Sequence, residues 1–138
     1  MMDDELRRAF EETHFIVHHR PAFTLRIGQS SSDLDALLRR TGHDCAVFIT
    51  AWNPMCRSLS DSDNDDRQQA LLCELHFRKL RWVPGIGKHP TNGWPGEASL
   101  LVLGVQRSDA EDLVKMFEQM ACLFCLEGEP VQLIEHPS

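Results

Sequence analysis

The run Cys45-Ala46-Val47-Phe48-Ile49-Thr50-Ala51-Trp52, cut off by Asn53-Pro54, constrains this chain more than any other segment. It is nearly continuous in apolar, β-branched and aromatic residues, which predicts a central strand covered on both faces. Pro54 has no N–H for a ladder and terminates it. A second core strand is expected at Ser99 to Val105, directly after Gly93-Trp94-Pro95-Gly96-Glu97. Two core strands therefore have ends carrying tryptophan, asparagine and glutamate, side chains better suited to contacts than to packing.

The other elements arrange themselves around these two strands. Residues 1–12 read as a charged N-terminal helix prone to fraying. Thr13 to His19 and Phe23 to Ile27 form an expected hairpin, the second arm alternating apolar and polar. Ser30-Ser31-Ser32 offers N-cap hydroxyls to a helix with Leu34, Leu37 and Leu38 on one stripe, stopped at Gly42. A second helix runs from Ser60–Asp63 to about Leu80, with Leu71, Leu72, Leu75 and Phe77 at helical spacing. Acidic residues fill its first turn and basic ones its last, which suits the macrodipole. Arg81-Trp82-Val83 reads as a short strand, and Gly85 to Gly96 as a Gly/Pro-rich loop. Ser108 caps a third helix with Ala110, Leu113, Val114 and Phe117 inward. Ala121 to Leu126 and Val131 to Ile134 close the chain as a strand pair. The order ββαβαββαββ predicts an α+β fold with one mixed or mostly antiparallel sheet, helices mainly on one face, and a single domain over 1–138.

Composition narrows the function classes. Hydrophobic residues make up 42% and charged residues 25%, ordinary values for a globular chain, so global disorder is not expected. Net charge is −7, which argues against broad phosphate-backbone binding. The one basic strip, Arg78, Lys79, Arg81 and Lys88, fits a helix C-terminus equally well. No apolar run approaches the ~18 residues that span a bilayer, and the acidic N-terminus does not resemble a secretory signal. Five cysteines, an odd number set within strands and helices, predict reduced thiols and a cytoplasmic location.

Several chemistries can be set aside. Cys122-Leu123-Phe124-Cys125 has redox or zinc spacing, but no second pair completes a ligand set. In a strand the two sulfurs point to opposite faces, so a buried structural pair is expected. Asp61-Ser62-Asp63-Asn64-Asp65-Asp66 lacks the glycine and the bidentate glutamate of a calcium loop. Gly85-Ile86-Gly87-Lys88 lacks the third glycine and following helix of a dinucleotide site. His14 and His18 share a strand face, but no carboxylate joins them. No metal site and no cofactor is expected.

What remains is a polar edge. Trp52 and Asn53 at one strand end, Asn64 and Arg67 on one face of the second helix, and Trp94 and Glu97 before the next strand form the candidate ligand-binding set. The functional expectation is a non-catalytic binding module for a small polar ligand or a partner protein, with tryptophan faces giving area and Asn53, Asn64, Arg67 and Glu97 giving directional hydrogen bonds. The alternative is a small hydrolase or transferase, with Glu97 as general base and Arg67 or Asn53 stabilising charge. A purely structural arrangement stays open too: Asn53 capping a turn, Arg67 paired with Glu97 or an aspartate, and the tryptophans as packed lids. Oligomeric state is open.

The segments Leu25-Arg26-Ile27-Gly28-Gln29, Phe48-Ile49-Thr50-Ala51-Trp52-Asn53-Pro54, Asn64-x-x-Arg67 and Gly93-Trp94-Pro95-Gly96-Glu97-Ala98-Ser99 resemble domain-of-unknown-function family 3293, over roughly residues 13–134. The resemblance implies a small bacterial cytosolic protein and assigns no catalytic roles. His89-Pro90 stands where the family pattern implies Asp-Pro.

Overall fold

Seven strands form one sheet that runs, edge to edge, through Phe23–Leu25, His14–Val17, Trp82–Lys88, Glu97–Leu103, Cys45–Ile49, Ala121–Leu126 and Gln132–Glu135, and every neighbouring pair is antiparallel. The computed structural model describes residues 2–137; Met1 and Ser138, the ends of the expected 1–138 unit, lie outside the described residues. The elements are α1 (Asp4–Glu12), β1 (His14–Val17), β2 (Phe23–Leu25), α2 (Ser32–Thr41), β3 (Cys45–Ile49), a 3-10 turn at Pro54–Cys56, α3 (Asp61–Phe77), β4 (Trp82–Lys88), β5 (Glu97–Leu103), α4 (Arg107–Met116), β6 (Ala121–Leu126) and β7 (Gln132–Glu135). The α+β class and the order of strands and helices are those the sequence predicts.

The sheet is apolar on both faces. Along β3, β5 and β6, alternate residues enter two separate core layers. Cys45, Val47, Ile49, Leu100, Val102, Cys122 and Phe124 pack with Leu71 and Leu75 of α3 and Ala110, Leu113 and Val114 of α4. Ala46, Phe48, Leu101, Leu103, Leu123 and Cys125 pack with Leu34, Leu37 and Leu38 of α2, and Phe10 of α1 lies against them. The second layer also takes Phe23 and Leu25 from one edge and Val131 from the other. Ile27 bridges Val131 in parallel, so the edges approach and this layer lies inside the curl. Helices therefore cover both faces rather than mainly one. Strands that are apolar on both sides require a cover on both sides.

Local chemistry sets the element ends. Ser31 Oγ accepts from Leu34 N, and Gly42, at φ 76°, closes α2 in the left-handed conformation. Ser60 Oγ accepts from Asp63 N at the start of α3. The Ser108 cap does not form; α4 starts at Arg107 with Gln106 before it and no side-chain cap.

The segment read as a Gly/Pro loop is instead β4, which continues through Pro84-Gly85-Ile86-Gly87-Lys88 between β1 and β5. Pro84 is tolerated because it lies just past the last β1–β4 pair, Val17 with Gly85: its carbonyl accepts from His18 N at 2.8 Å, and only the reciprocal bond is lost. Gly85 is required by close approach. A Cβ there would lie 2.4 Å from the Ile16 carbonyl oxygen and 2.9 Å from the Phe48 ring.

The N-terminal helix is docked. Asp3 caps it, Met2 is buried, and Leu6 and Phe10 are half-buried against the inside of the curl. Arg7 reaches Glu135 at 2.7 Å, and Glu12 meets His89 at 3.1 Å.

Candidate functional site

After Ile49 the chain leaves β3 and enters a loop with unusual backbone. Asn53 is left-handed (φ 47°, ψ 67°), as are Met55 (φ 50°) and Cys56 (φ 61°). Asparagine tolerates this region; methionine and cysteine do not favour it, at a cost of about 1–3 kcal/mol each. The surroundings hold the loop there. Gln68 Oε1 accepts from Ala51 N at 3.0 Å, Asn64 Oδ1 accepts from Asn53 N at 2.8 Å, and Gln119 Nε2 donates to the Trp52 carbonyl at 3.1 Å. Met55 N donates to the Glu118 carbonyl at 2.7 Å.

These contacts explain the composition of α3. Its first half turns polar residues inward, with Asn64 and Gln68 buried, and its second half turns Leu71 and Leu75 inward. The first half binds a loop backbone, whereas the second packs on the sheet. Buried amides are stable here because each has partners.

The two chain breaks meet. Asn53 Nδ2 donates to Glu97 Oε2 at 2.7 Å, while Asn53 Oδ1 accepts from Asn64 Nδ2 at 2.9 Å and Leu59 N at 3.1 Å. Glu97 opens β5, opposite Gly87 of β4. Burial pushes its carboxyl above the usual range, and the Asn53 bond only partly offsets this. Among the described residues no lysine or arginine forms an ion pair with it.

Glu97 lines a cavity of about 220 Å³ inside the curl. The cavity follows from residue sizes along the strands. Gly87, Ser99 and Ala121 leave the sheet floor low at this end, whereas Leu101, Leu103 and Leu123 fill it farther along. Leu6 and Phe10 of α1 cover it, and Trp94 and Pro95 form its rim. A smaller cavity of about 80 Å³ lies beside it, walled by Trp52, Asn53, Asn64 and Trp94.

Five of the six candidate residues thus come together. Asn53, Trp94 and Glu97 line the larger cavity; Trp52 and Asn64 line the smaller one, which shares Asn53 and Trp94. Trp94 is 54% exposed, so it is no packed lid. Trp52 is half-buried, with its indole Nε1 enclosed and without a partner.

Arg67 lines neither cavity. Its Nε donates to the Ala51 carbonyl at 2.7 Å, one terminal nitrogen donates to the Phe117 carbonyl, and the other lies 3.6 Å from Glu118. It therefore pairs with neither Glu97 nor an aspartate. It ties the loop to the turn after α4. The guanidinium is drawn to the Ala51 and Phe117 carbonyls because these have no ladder partners, whereas the aspartates of α3 are exposed.

A family model matches residues 49–122, more than half of the chain. The chain belongs to the family described as Protein of unknown function (DUF3293). The match spans the loop, α3, β4, β5 and α4, and so contains all six candidate residues. No curated protein and no solved structure matches the chain. At His89, where the resemblance implies an aspartate, His89 Nδ1 accepts from Thr91 N at 3.1 Å and Asn92 N at 3.0 Å, as an aspartate oxygen does in an Asx turn. The accepting Nδ1 leaves the proton on Nε2, which donates to Glu12.

Sequence reading missed several residues. Leu6 and Phe10 were signalled by the i, i+4, i+8 spacing of Met2, Leu6 and Phe10 within a segment taken as charged. Cys56 and Gln119, which also line the larger cavity, carried no local signal. Cys56 is exposed as a residue, but partial burial on its cavity side and the Glu97 charge raise its thiol above the usual range.

Proposed function

We propose that this chain is a small-ligand binding module whose site is the cavity over Glu97. One observation supports it most: a carboxylate sits in a largely apolar cavity, held by a single side-chain hydrogen bond from Asn53 and facing no cation among the described residues. A carboxylate kept in such a place without a cationic partner is costly, and a bound ligand supplies the missing charge. At about 220 Å³ the cavity lies below the ~300–1,000 Å³ of drug-sized sites, which favours a small molecule over a nucleotide or a peptide. The net charge of −7 weighs against nucleic acid as the partner. Five free thiols, three of them buried, support the cytosolic setting that the family resemblance implies.

Glu97 as the general base of a hydrolase or transferase is the second reading. Its support is the upward shift of the carboxyl, toward the range in which a general base works near neutrality. Arg67 has no part in that version, since its donors are engaged by backbone carbonyls and Glu118.

A thermal-shift screen across amino acids, amines, nucleotides and metals tests the binding reading. A ligand at one hundred times its Kd adds about 2.7 kcal/mol of stability. The expected result is a Tm rise that Asn53→Ala and Glu97→Ala abolish. Binding that survives both substitutions would refute the assignment of the site.

A further inference from the structure

Taking the cavity over Glu97 as a ligand site, we propose that its ligand is a small organic ammonium: a protonated amine carried on a short apolar body about the size of a phenyl ring. The argument begins with charge. Among the residues that line the cavity, Glu97 is the only carboxylate, and no lysine or arginine is present. A phosphate or carboxylate ligand would meet one anion and no cation. A neutral ligand would leave the carboxylate buried with a single side-chain donor. An ammonium meets its charge and donates to it.

Three polar side chains beside the carboxylate are already engaged. Thr50 Oγ1 donates to the Ala98 carbonyl at 2.7 Å and accepts from Trp52 N at 3.1 Å; Ser99 Oγ donates to the Glu97 carbonyl at 2.9 Å; Asn53 Oδ1 accepts twice. The carboxylate is therefore the anchor, and it recognises one donor group. Beyond it the walls are Phe10, Phe15, Phe48 and Trp94. Aromatic faces suit both an apolar body and a neighbouring cation. A dry cavity of about 150 Å³ accommodates benzene, so about 220 Å³ has room for a ring and a short amine-bearing arm.

Protonation sharpens the assignment. The titratable groups that line the cavity with Glu97 are Cys56 of the 3-10 turn, His89 on the β4–β5 connection and Cys122 of β6; the α1 face over the cavity presents only Leu6, Ala9 and Phe10. An ammonium requires ionised Glu97, so its affinity falls when acid protonates that carboxyl.

The test uses the full chain and matched probes, benzylamine, benzyl alcohol and benzoate, followed by titration in two-dimensional NMR and by calorimetry. Benzylamine is expected to move resonances of Leu6, Phe10 and Trp94, and to bind more weakly at acid pH. Glu97→Gln keeps the size and the acceptor for Asn53, and is expected to weaken benzylamine by roughly 10- to 100-fold, the value of one charge-assisted hydrogen bond. The alcohol should bind feebly and equally to both forms. A melting curve verifies that the variant is folded. If alcohol and amine bind alike, or benzoate binds best, the ammonium assignment is overturned and the cavity reading stands. If no probe of any charge perturbs the cavity, both are overturned. Shifts confined to the acidic start of α3 also count against the assignment, since they report surface charge alone.

Discussion

Asn53 holds the two chain breaks together with every polar group it has: its N–H to Asn64, its carbonyl to Cys56 N, its Nδ2 to Glu97, and its Oδ1 to Asn64 and Leu59. Asn64 is only 1% exposed, so its removal strands the Asn53 amide and part of Oδ1 away from water. Asn64→Ala is therefore expected to cost about 2–3 kcal/mol in urea unfolding, the value of unmet buried hydrogen-bonding groups. Glu97 makes the opposite contribution. Its folded-state carboxyl keeps a proton to higher pH than the unfolded one, so between those two values the native state carries the extra proton and stability falls as pH rises. Glu97→Gln removes that titration. The variant is expected to gain on the parent chain as pH rises from about 4 toward neutrality, read as the urea midpoint at each pH; a constant difference across that range would contradict the burial argument.

At the scale of elements, α1 and α3 behave differently. Helix α1 has no fully buried residue within Asp4–Glu12 and is held by Leu6 and Phe10 from beneath, by the Arg7–Glu135 ion pair and by the His89–Glu12 hydrogen bond. The Arg7 hydrogen bond holds the Glu135 carboxyl below its usual range, so this contribution is lost as pH falls through that lowered value. An exposed pair of this kind is screened by salt. Amides of α1 are expected to exchange with solvent faster than those of β3 and β5, and faster still in Arg7→Ala or high salt, with the sheet unchanged. Helix α3 is anchored in the core. Leu71 is fully buried against the sheet, so Leu71→Ala is expected to cost about 2–5 kcal/mol of global stability. Equal exchange rates in α1 and the central strands would refute the contrast.

Across the whole molecule, the thiols report how the two core layers are sealed. Cys122 faces the α3/α4 layer and Cys125 the layer inside the curl, so β6 itself lies between them. Burial raises both thiols, Cys125 to about 12, and Cys45 to about 11. Cys56 and Cys73 are exposed. Native protein is expected to react with a thiol reagent at two sites, and at all five only after denaturation.

Periodicity in the chain determined the strands β1, β2, β3, β5, β6 and β7, the caps at Ser31, Gly42 and Ser60, and the divergence of Cys122 from Cys125, because each depends on residues a few positions apart. It also marked Trp52, Asn53, Trp94 and Glu97, since polar and aromatic residues at the ends of apolar runs stand out locally. The tertiary structure decided the rest. Gly85 and Gly87 read as a loop until strands on both sides supplied partners for their backbone. Arg67 looked free to meet a ligand until folding brought carbonyls from residues 51 and 117 within reach. The cavity exists because Gly87, Ser99 and Ala121, on three different strands, leave space at one end of the curl and α1 covers it. A local pattern fixes which way a side chain points; only the packed sheet fixes what it meets there.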